Sequence, residues 1–466
     1  MTKVLLINPC LRPESPVKII PVGLACIATA LDRAGYKPDI LDIDLYRYTD
    51  DDIDNILAKN KYDIIGLGNI VSSYKITKKL CKQVKRVLPE SVLVVGNTVA
   101  AVPNILLTCV PEVDVTVIGE GDRTIVDIVD CLRTGKSLAD SPGMALRYEG
   151  KVIVTGKRKA IPNIEDVPFP DYSLFDFDKY LEVSYMLVAE PLPLPRTEMR
   201  VVPLNTARGC PFDCTFCTHA FKGDKYRYYP FQAVIKRMKC LQKKYNANYL
   251  AFWDELTLLT KKRAVELCNA IEKEELSFFW SVNPRGNLFR KKDLDLLRRC
   301  KDLGALTIGG ALESGSQKIL TAMNKHLKPE EFVEQMNTAQ KAGLSPLTSV
   351  VFGYPQETRE TIRMTFDTCK QAGVYPSAGF VLPLPGTPIY GMAQKRGLIK
   401  DEEEYLLRIG DRQDLHVNLT HMADQELIDT VTEGLIRLKD ELNIPLSDNE
   451  VIKTTTYRMS KNPNQK

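Results

Sequence analysis

Short apolar strands alternate with helix-patterned stretches in two separate runs along this 466-residue chain, one before residue 135 and one after residue 200. That alternation leaves few folds open, because parallel strands need long crossover connections and the helices that supply them cover the sheet. In the first run Val4–Ile7, Lys37–Ile43, Ile64–Gly68, Val92–Gly96 and Val113–Ile118 read as strands, with helices at Val22–Ala34, Asp50–Lys59 and Ile76–Leu88. An open parallel sheet follows. In the second run Val201–Asn205, Tyr249–Trp253, Phe278–Val282, Leu306–Leu312, Leu347–Phe352 and Gly379–Leu382 read as six strands of a parallel barrel or partial barrel. Both folds bind their ligands at the carboxyl ends of the strands, so the loops there are the places to search.

The stretch between the runs is organised differently. Ile161–Pro170 and Glu190–Pro195 are proline-rich, which marks residues 136–200 as a linker or a docked hairpin. Its aromatic residues Tyr172, Phe175, Phe177 and Tyr180 are expected to anchor it on the barrel. From residue 400 the chain reads as mostly helical, with an amphipathic stretch at Asp424–Leu442 suited to packing on the barrel.

Immediately after the first barrel strand comes Arg208-Gly209-Cys210-Pro211-Phe212-Asp213-Cys214-Thr215-Phe216-Cys217. Three thiols spaced Cys-x3-Cys-x2-Cys suit a four-iron cubane with one iron left free of protein ligands. Gly209 and Pro211 favour a loop able to wrap such a cluster. Structural zinc wants four ligands, and His219 is the nearby nitrogen for that alternative.

With Phe216 placed before its last cysteine, the motif resembles the signature of radical S-adenosylmethionine enzymes. The resemblance implies that Cys210, Cys214 and Cys217 hold a 4Fe-4S cluster whose open iron chelates the amino and carboxylate groups of S-adenosylmethionine. Reduction then splits the sulfonium to give a 5′-deoxyadenosyl radical. It further implies that Phe216, Asp254, Glu255, Arg285, Glu313 and Ser314 contact S-adenosylmethionine: Asp254 and Glu255 accept from its ammonium, Arg285 pairs with its carboxylate, and Glu313 and Ser314 meet the ribose or sulfonium.

The first run lacks the Gly-x-Gly-x-x-Gly of a dinucleotide site. Its ordering of Pro21-Val22-Gly23-Leu24, Asn69–Ser73, Val94-Val95-Gly96-Asn97 and Gly119-Glu120-Gly121 resembles the cobalamin-binding domain of one large branch of these enzymes. On that resemblance Asn69, Ser72, Ser73, Gly96, Asn97, Glu120 and Gly121 border cobalamin, with Ser72 and Ser73 at the nucleotide tail and the last four at the macrocycle. Two departures stand out. The first 200 residues contain no histidine, so no imidazole from them ligates cobalt, and Asn97 stands where relatives commonly have a second glycine.

The implied architecture is α/β: an N-terminal Rossmann-like cobalamin-binding domain (1–135), a linker (136–200), a central partial (β/α)6 radical S-adenosylmethionine barrel (201–399) and a small C-terminal helical domain (400–466). The reading that follows is a cobalamin-dependent radical enzyme that methylates an unactivated carbon of a small molecule and draws its electron from a low-potential donor such as flavodoxin or ferredoxin. Alternatives are a cobalamin-linked cyclase or ring-rearranging enzyme, a cobalamin-independent dehydratase or isomerase with a vestigial first domain, and a non-catalytic iron–sulfur sensor. The 63 basic and 59 acidic residues form no basic run, which argues against nucleic acid. The absence of a long apolar run argues against a membrane span. Twelve cysteines without a secretory signal point to the cytoplasm, and with none after Cys369 no auxiliary cluster is expected at the C-terminus.

Overall fold

The structure, a computed structural model, describes residues 2–189 and 191–452. Glu190, at the start of the proline stretch, and residues 453–466 of the C-terminal segment lie outside the described residues. The chain forms two compact units. One comprises Met1–Tyr180, Thr218–Arg227 and Leu384–Gly410, and the other Leu181–Cys217, Tyr228–Pro383 and the chain from Asp411 on.

The first unit is built on a seven-stranded sheet. Its strands are β1 (Val4–Asn8), β2 (Asp39–Asp42), β3 (Ile64–Gly68), β4 (Val92–Gly96), β5 (Val115–Val117), β6 (Met144–Tyr148) and β7 (Lys151–Val154), in the order β2-β1-β3-β4-β5-β6-β7. The first five are parallel and the last two antiparallel. Every residue of β1 is buried, as expected of a central strand covered on both faces. Order 2-1-3-4-5 reverses direction between β1 and β3, and ligands of such sheets bind in the crevice beyond that point.

The β6–β7 hairpin occupies part of the stretch expected as linker. Its turn, Glu149-Gly150, has positive φ at both residues (50° and 76°), the geometry a tight two-residue hairpin requires. The linker aromatics are anchored in this unit and not on the barrel: Tyr172 stacks on Phe177 at 4.6 Å, and the Tyr180 hydroxyl donates to Asp42 at 2.7 Å. Glu403, in the helix Glu402–Arg408, accepts from the Tyr74 hydroxyl at 3.1 Å and pairs with Lys78, which fastens that helix to Tyr74–Val87.

The second unit carries six parallel strands: Val201–Leu204, Tyr249–Phe252, Phe279–Val282, Ala305–Ile308, Ser349–Phe352 and Ser377–Phe380. The first four form one sheet and the last two another, and single bridges, Thr307 to Ser345 and Glu313 to Val350, join the two into a partial barrel. The fourth strand stops short of the expected Leu312 because Gly310 leaves it to lie against backbone. A Cβ there would meet the Gly286 Cα at 2.7 Å, so only glycine fits.

Outside the fifth and sixth strands, Val350, Phe352, Ala378 and Phe380 pack with residues of the helices Pro329–Lys341, Arg359–Gln371 and Asp424–Glu441. The last of these is the expected amphipathic helix. Among the described residues no helix is long and apolar enough to cross a membrane.

Gly434 lets Asp424–Glu441 approach its neighbour closely, since a Cβ there would overlap the ring of Phe366. Alanine normally favours a helix over glycine by up to about 1 kcal/mol, but overpacking a filled core costs about 1–3 kcal/mol. Gly434→Ala should therefore lower stability, read as an earlier midpoint in denaturant unfolding; an unchanged or later midpoint would show that the ring yields freely.

Candidate active site

The thiol loop is held from below by two neighbouring carboxylates at the end of the second barrel strand. Asp254 accepts from the Thr206 amide (2.6 Å), the Thr206 hydroxyl (2.7 Å) and the Ala207 amide (3.0 Å), and also from the Thr257 hydroxyl. Burial pushes its carboxyl above the usual range, and these donors pull it back. Glu255 is likewise raised by burial and accepts from the Gly209 amide. Both residues expected to meet the ammonium of S-adenosylmethionine thus have bonds to the cluster loop itself.

Other contacts set the loop's far side. The Thr215 amide donates to the Met323 carbonyl at 2.9 Å, and its hydroxyl reaches the Ala322 carbonyl at 3.0 Å and bonds the Tyr354 hydroxyl. Asn324 donates from its side chain to the Asp213 carbonyl at 2.9 Å. Arg285 lies 3.7 Å from the centre of the Phe212 ring and donates to the His326 carbonyl at 3.4 Å. Cys210 is half-buried, Cys214 buried and Cys217 exposed, with Phe216 half-exposed between the last two. Burial raises the Cys210 thiol, while the Phe212 amide and Arg285 favour its thiolate.

Three free thiols on an irregular loop braced by so many bonds fit a cubane cluster with an open iron.

Glu313 and Ser314 follow the fourth strand. Glu313 has a φ of 65°, sparsely populated for a residue with a side chain. Such strain is found where a site needs it. It is held by bonds from its amide to Ser349 (3.1 Å) and from the Val351 amide to its carbonyl (2.9 Å). Its buried carboxylate pairs with Lys325 at 2.8 Å, a partner that no local motif announces. Ser314 is buried, and its hydroxyl accepts from the Ser316 amide at 3.2 Å.

In the first unit, the loops after β3 and β4 are tied together. The Asn69 amide donates to the Gly96 carbonyl (3.2 Å) and the Val71 amide to the Thr98 hydroxyl (3.1 Å). Asn97 is exposed at φ 67°, ψ −162°, a region populated almost only by glycine, which accounts for the second glycine expected there. Ser72 is half-exposed beside it, whereas Ser73 is buried and the Asn69 side chain bonds Thr77 at 2.9 Å. Gly121 faces protein, since a Cβ there would meet Ile27 at 3.0 Å. Glu120 is buried against Arg227, with contacts of 3.2 and 3.3 Å, and also accepts from the Ile161 amide at 3.0 Å. Small side chains and a glycine-type backbone at the ends of β3 and β4 fit a ligand as broad as a corrin. His219 belongs to this unit, with its imidazole kept neutral by burial and a buried Nδ1 without a partner.

A thiol loop of this kind at the rim of a six-stranded parallel barrel defines an iron–sulfur enzyme of the radical S-adenosylmethionine class. The family model of that superfamily matches residues 204–369, and that of the B12 binding domain matches residues 11–129. Over 407 residues the chain is 30% identical to an uncharacterized methyltransferase of Pyrococcus horikoshii, covering 85% of this chain and 84% of that one. It is 28% identical over 479 residues to the cytidylyl-2-hydroxyethylphosphonate methyltransferase of Streptomyces wedmorensis, covering 91% and 88%. In fold it matches the radical S-adenosylmethionine methyltransferase TsrM of Kitasatospora setae, solved with cobalamin and a 4Fe-4S cluster bound, with a TM-score of 0.66 over 85% of this chain and 78% of that one at 17% identity. The chain belongs to the family of radical S-adenosylmethionine enzymes that carry a B12-binding domain. Its cofactors are a 4Fe-4S cluster, S-adenosylmethionine and cobalamin.

Glu357, beyond the fifth strand, is buried, and among the described residues no cation pairs with it. It accepts from the Thr361 hydroxyl at 2.5 Å and the Gly353 amide at 3.3 Å, and burial pushes its carboxyl up to about 7. Between the unfolded value of 4.5 and about 7 the native state holds a proton that the unfolded chain has lost, so stability falls as pH rises through that window. The loss amounts to roughly 3 kcal/mol by that linkage. Glu357→Gln, which cannot ionise, should flatten this part of the stability–pH curve; a slope identical to that of the wild type would remove Glu357 as its source.

Proposed function

We propose that this protein transfers a methyl group to an unactivated carbon of a small-molecule substrate. The observation that carries the reading is the presence, in one chain, of a three-thiol loop on a parallel barrel and a sheet whose strand-end loops suit a corrin. Relatives named as methyltransferases, matched over most of their length, support the same outcome. When bound, the cofactors supply a hydrogen-abstracting radical and a transferable methyl group.

The chain's own residues do the rest. Asp254 and Glu255 fix the loop that presents Cys210, Cys214 and Cys217. Glu313, held beside Lys325, offers a carboxylate to the positive charge of S-adenosylmethionine. Ser72, Gly96 and Asn97 border the cobalamin. A flavodoxin or ferredoxin supplies the low-potential electron, and twelve free cysteines suit the reducing cytoplasm where such donors operate.

Alanine at any one of Cys210, Cys214 or Cys217 should abolish both the iron–sulfur absorbance and the release of 5′-deoxyadenosine under reduction, whereas alanine at Cys240 should spare both. A Cys214 variant that still cleaves S-adenosylmethionine at the normal rate would end the cluster assignment.

Ser72→Tyr should exclude cobalamin by bulk at a half-exposed loop while leaving the cluster intact. The check is cobalt per chain after anaerobic reconstitution, with iron measured on the same sample. A wild type that takes up no cobalt yet makes 5′-deoxyadenosine would point away from methyl transfer.

A further inference from the structure

Val350, Phe352, Ala378 and Phe380 face the helices outside the barrel, and side chains alternate along a strand, so Ser349, Val351, Ser377 and Gly379 face its interior. Arg412 comes in on that inner face. Its carbonyl accepts from the Phe380 amide at 2.6 Å, which lays residue 412 along the sixth strand. The side chain then passes over Gly379, where a Cβ would stand 2.8 Å from its Cγ and 3.2 Å from its Cδ. The guanidinium ends against Ser377. Its Nη2 donates to the Ser377 carbonyl at 3.0 Å and hydroxyl at 2.7 Å, and its Nη1 lies 3.4 Å from the Val350 carbonyl. None of these acceptors is charged, and none of the bonds uses Nε.

Charged groups stand near it without bonding it. Glu313, joined to Val350 by a strand bridge, already pairs with Lys325 at 2.8 Å. Glu313 and Asp411 both act on Arg412 electrostatically, and burial lowers its pKa. Yet among the described residues no carboxylate forms an ion pair with it. The guanidinium is partly buried, and its contacts so far are with neutral oxygens alone. Thr307, on the fourth strand, adds a buried hydroxyl with no partner. Among the described residues the barrel interior therefore holds an arginine with no carboxylate in contact and an unmet polar group.

We propose that Arg412 anchors an oxyanion of the substrate, a carboxylate or a phosphate-type group, inside the barrel. The assignment rests on the methyl-transfer reading above. S-adenosylmethionine is a poor candidate for this partner, because its one anionic group is the carboxylate that family members place on the open iron, and its remaining charges are positive. Nε and one hydrogen of Nη1 are left over by the bonds above, and a charged donor makes a strong hydrogen bond to an oxyanion.

The test uses the holoenzyme loaded with cluster, cobalamin and S-adenosylmethionine. Its thermal midpoint is measured with added inorganic phosphate or acetate against chloride at equal ionic strength, since a ligand that binds only the native state raises the midpoint. The wild type should show an oxyanion-specific rise, and the anion giving the larger rise assigns the group. Arg412→Met, which keeps the apolar stem, should lose most of it. Arg412→Lys, which keeps the charge without the fork, should show a reduced rise, and this comparison decides the matter if the methionine variant fails to take up iron.

No oxyanion-specific rise in the wild type, or an undiminished rise in either variant, overturns the proposal. Cobalt content and 5′-deoxyadenosine release, measured on the same samples, report on methyl transfer separately. Their absence in the wild type would remove that reading and leave the anion result to stand by itself.

Discussion

Asp254 is withdrawn from water, and its two oxygens gather the Thr206 and Ala207 amides and the Thr206 hydroxyl, the groups through which the first barrel strand turns into the thiol loop, together with the nearby Thr257 hydroxyl. A buried carboxylate without such donors is heavily penalised, whereas one that is fully bonded rigidifies whatever it holds. The site depends on this arrangement, because Glu255, Thr215 and Asn324 each brace a part of the loop that starts from the turn Asp254 fixes. Asp254 thus holds the backbone that leads into the three cysteines.

The first unit meets a similar demand with backbone geometry. The loops after β3 and β4 bond each other, and Asn97 occupies a conformation that costs a non-glycine residue on the order of 1–3 kcal/mol. Part of the cost is offset locally, since the Asn97 side chain accepts from the Thr98 amide at 2.7 Å. The dipeptide expected as Gly-Gly keeps its shape with asparagine in second place.

Periodicity made both sheets legible in advance. All five parallel strands of the first unit and all six of the second lie within a few residues of where apolar patterning puts them, because buried parallel strands are short apolar runs bounded by turns. The β6–β7 hairpin was harder to read: Glu149-Gly150 carries a turn signal, but the strands beside it are partly exposed and lie next to a proline-rich stretch. Patterning also named the residues at the strand ends without saying what each would bind. Asn69 and Glu120 stand in the expected loops, yet their side chains are bonded to Thr77 and Arg227. Lys325 and Arg412 were not legible at all. Their contacts, with Glu313 and with the sixth strand, are tertiary, and neither residue lies in a motif of fixed spacing.

Gly379 and Arg412 share one volume, since the side chain of one passes where a Cβ on the other would be. The Arg412 carbonyl oxygen would stand 2.8 Å from that Cβ as well, so a methyl group at 379 is incompatible with this path of the backbone whatever residue stands at 412. The glycine is tied to the path of the segment that lies on it. A lineage that gains a side chain at 379 has to reroute the segment that carries residue 412, and the guanidinium inside the barrel moves with that step.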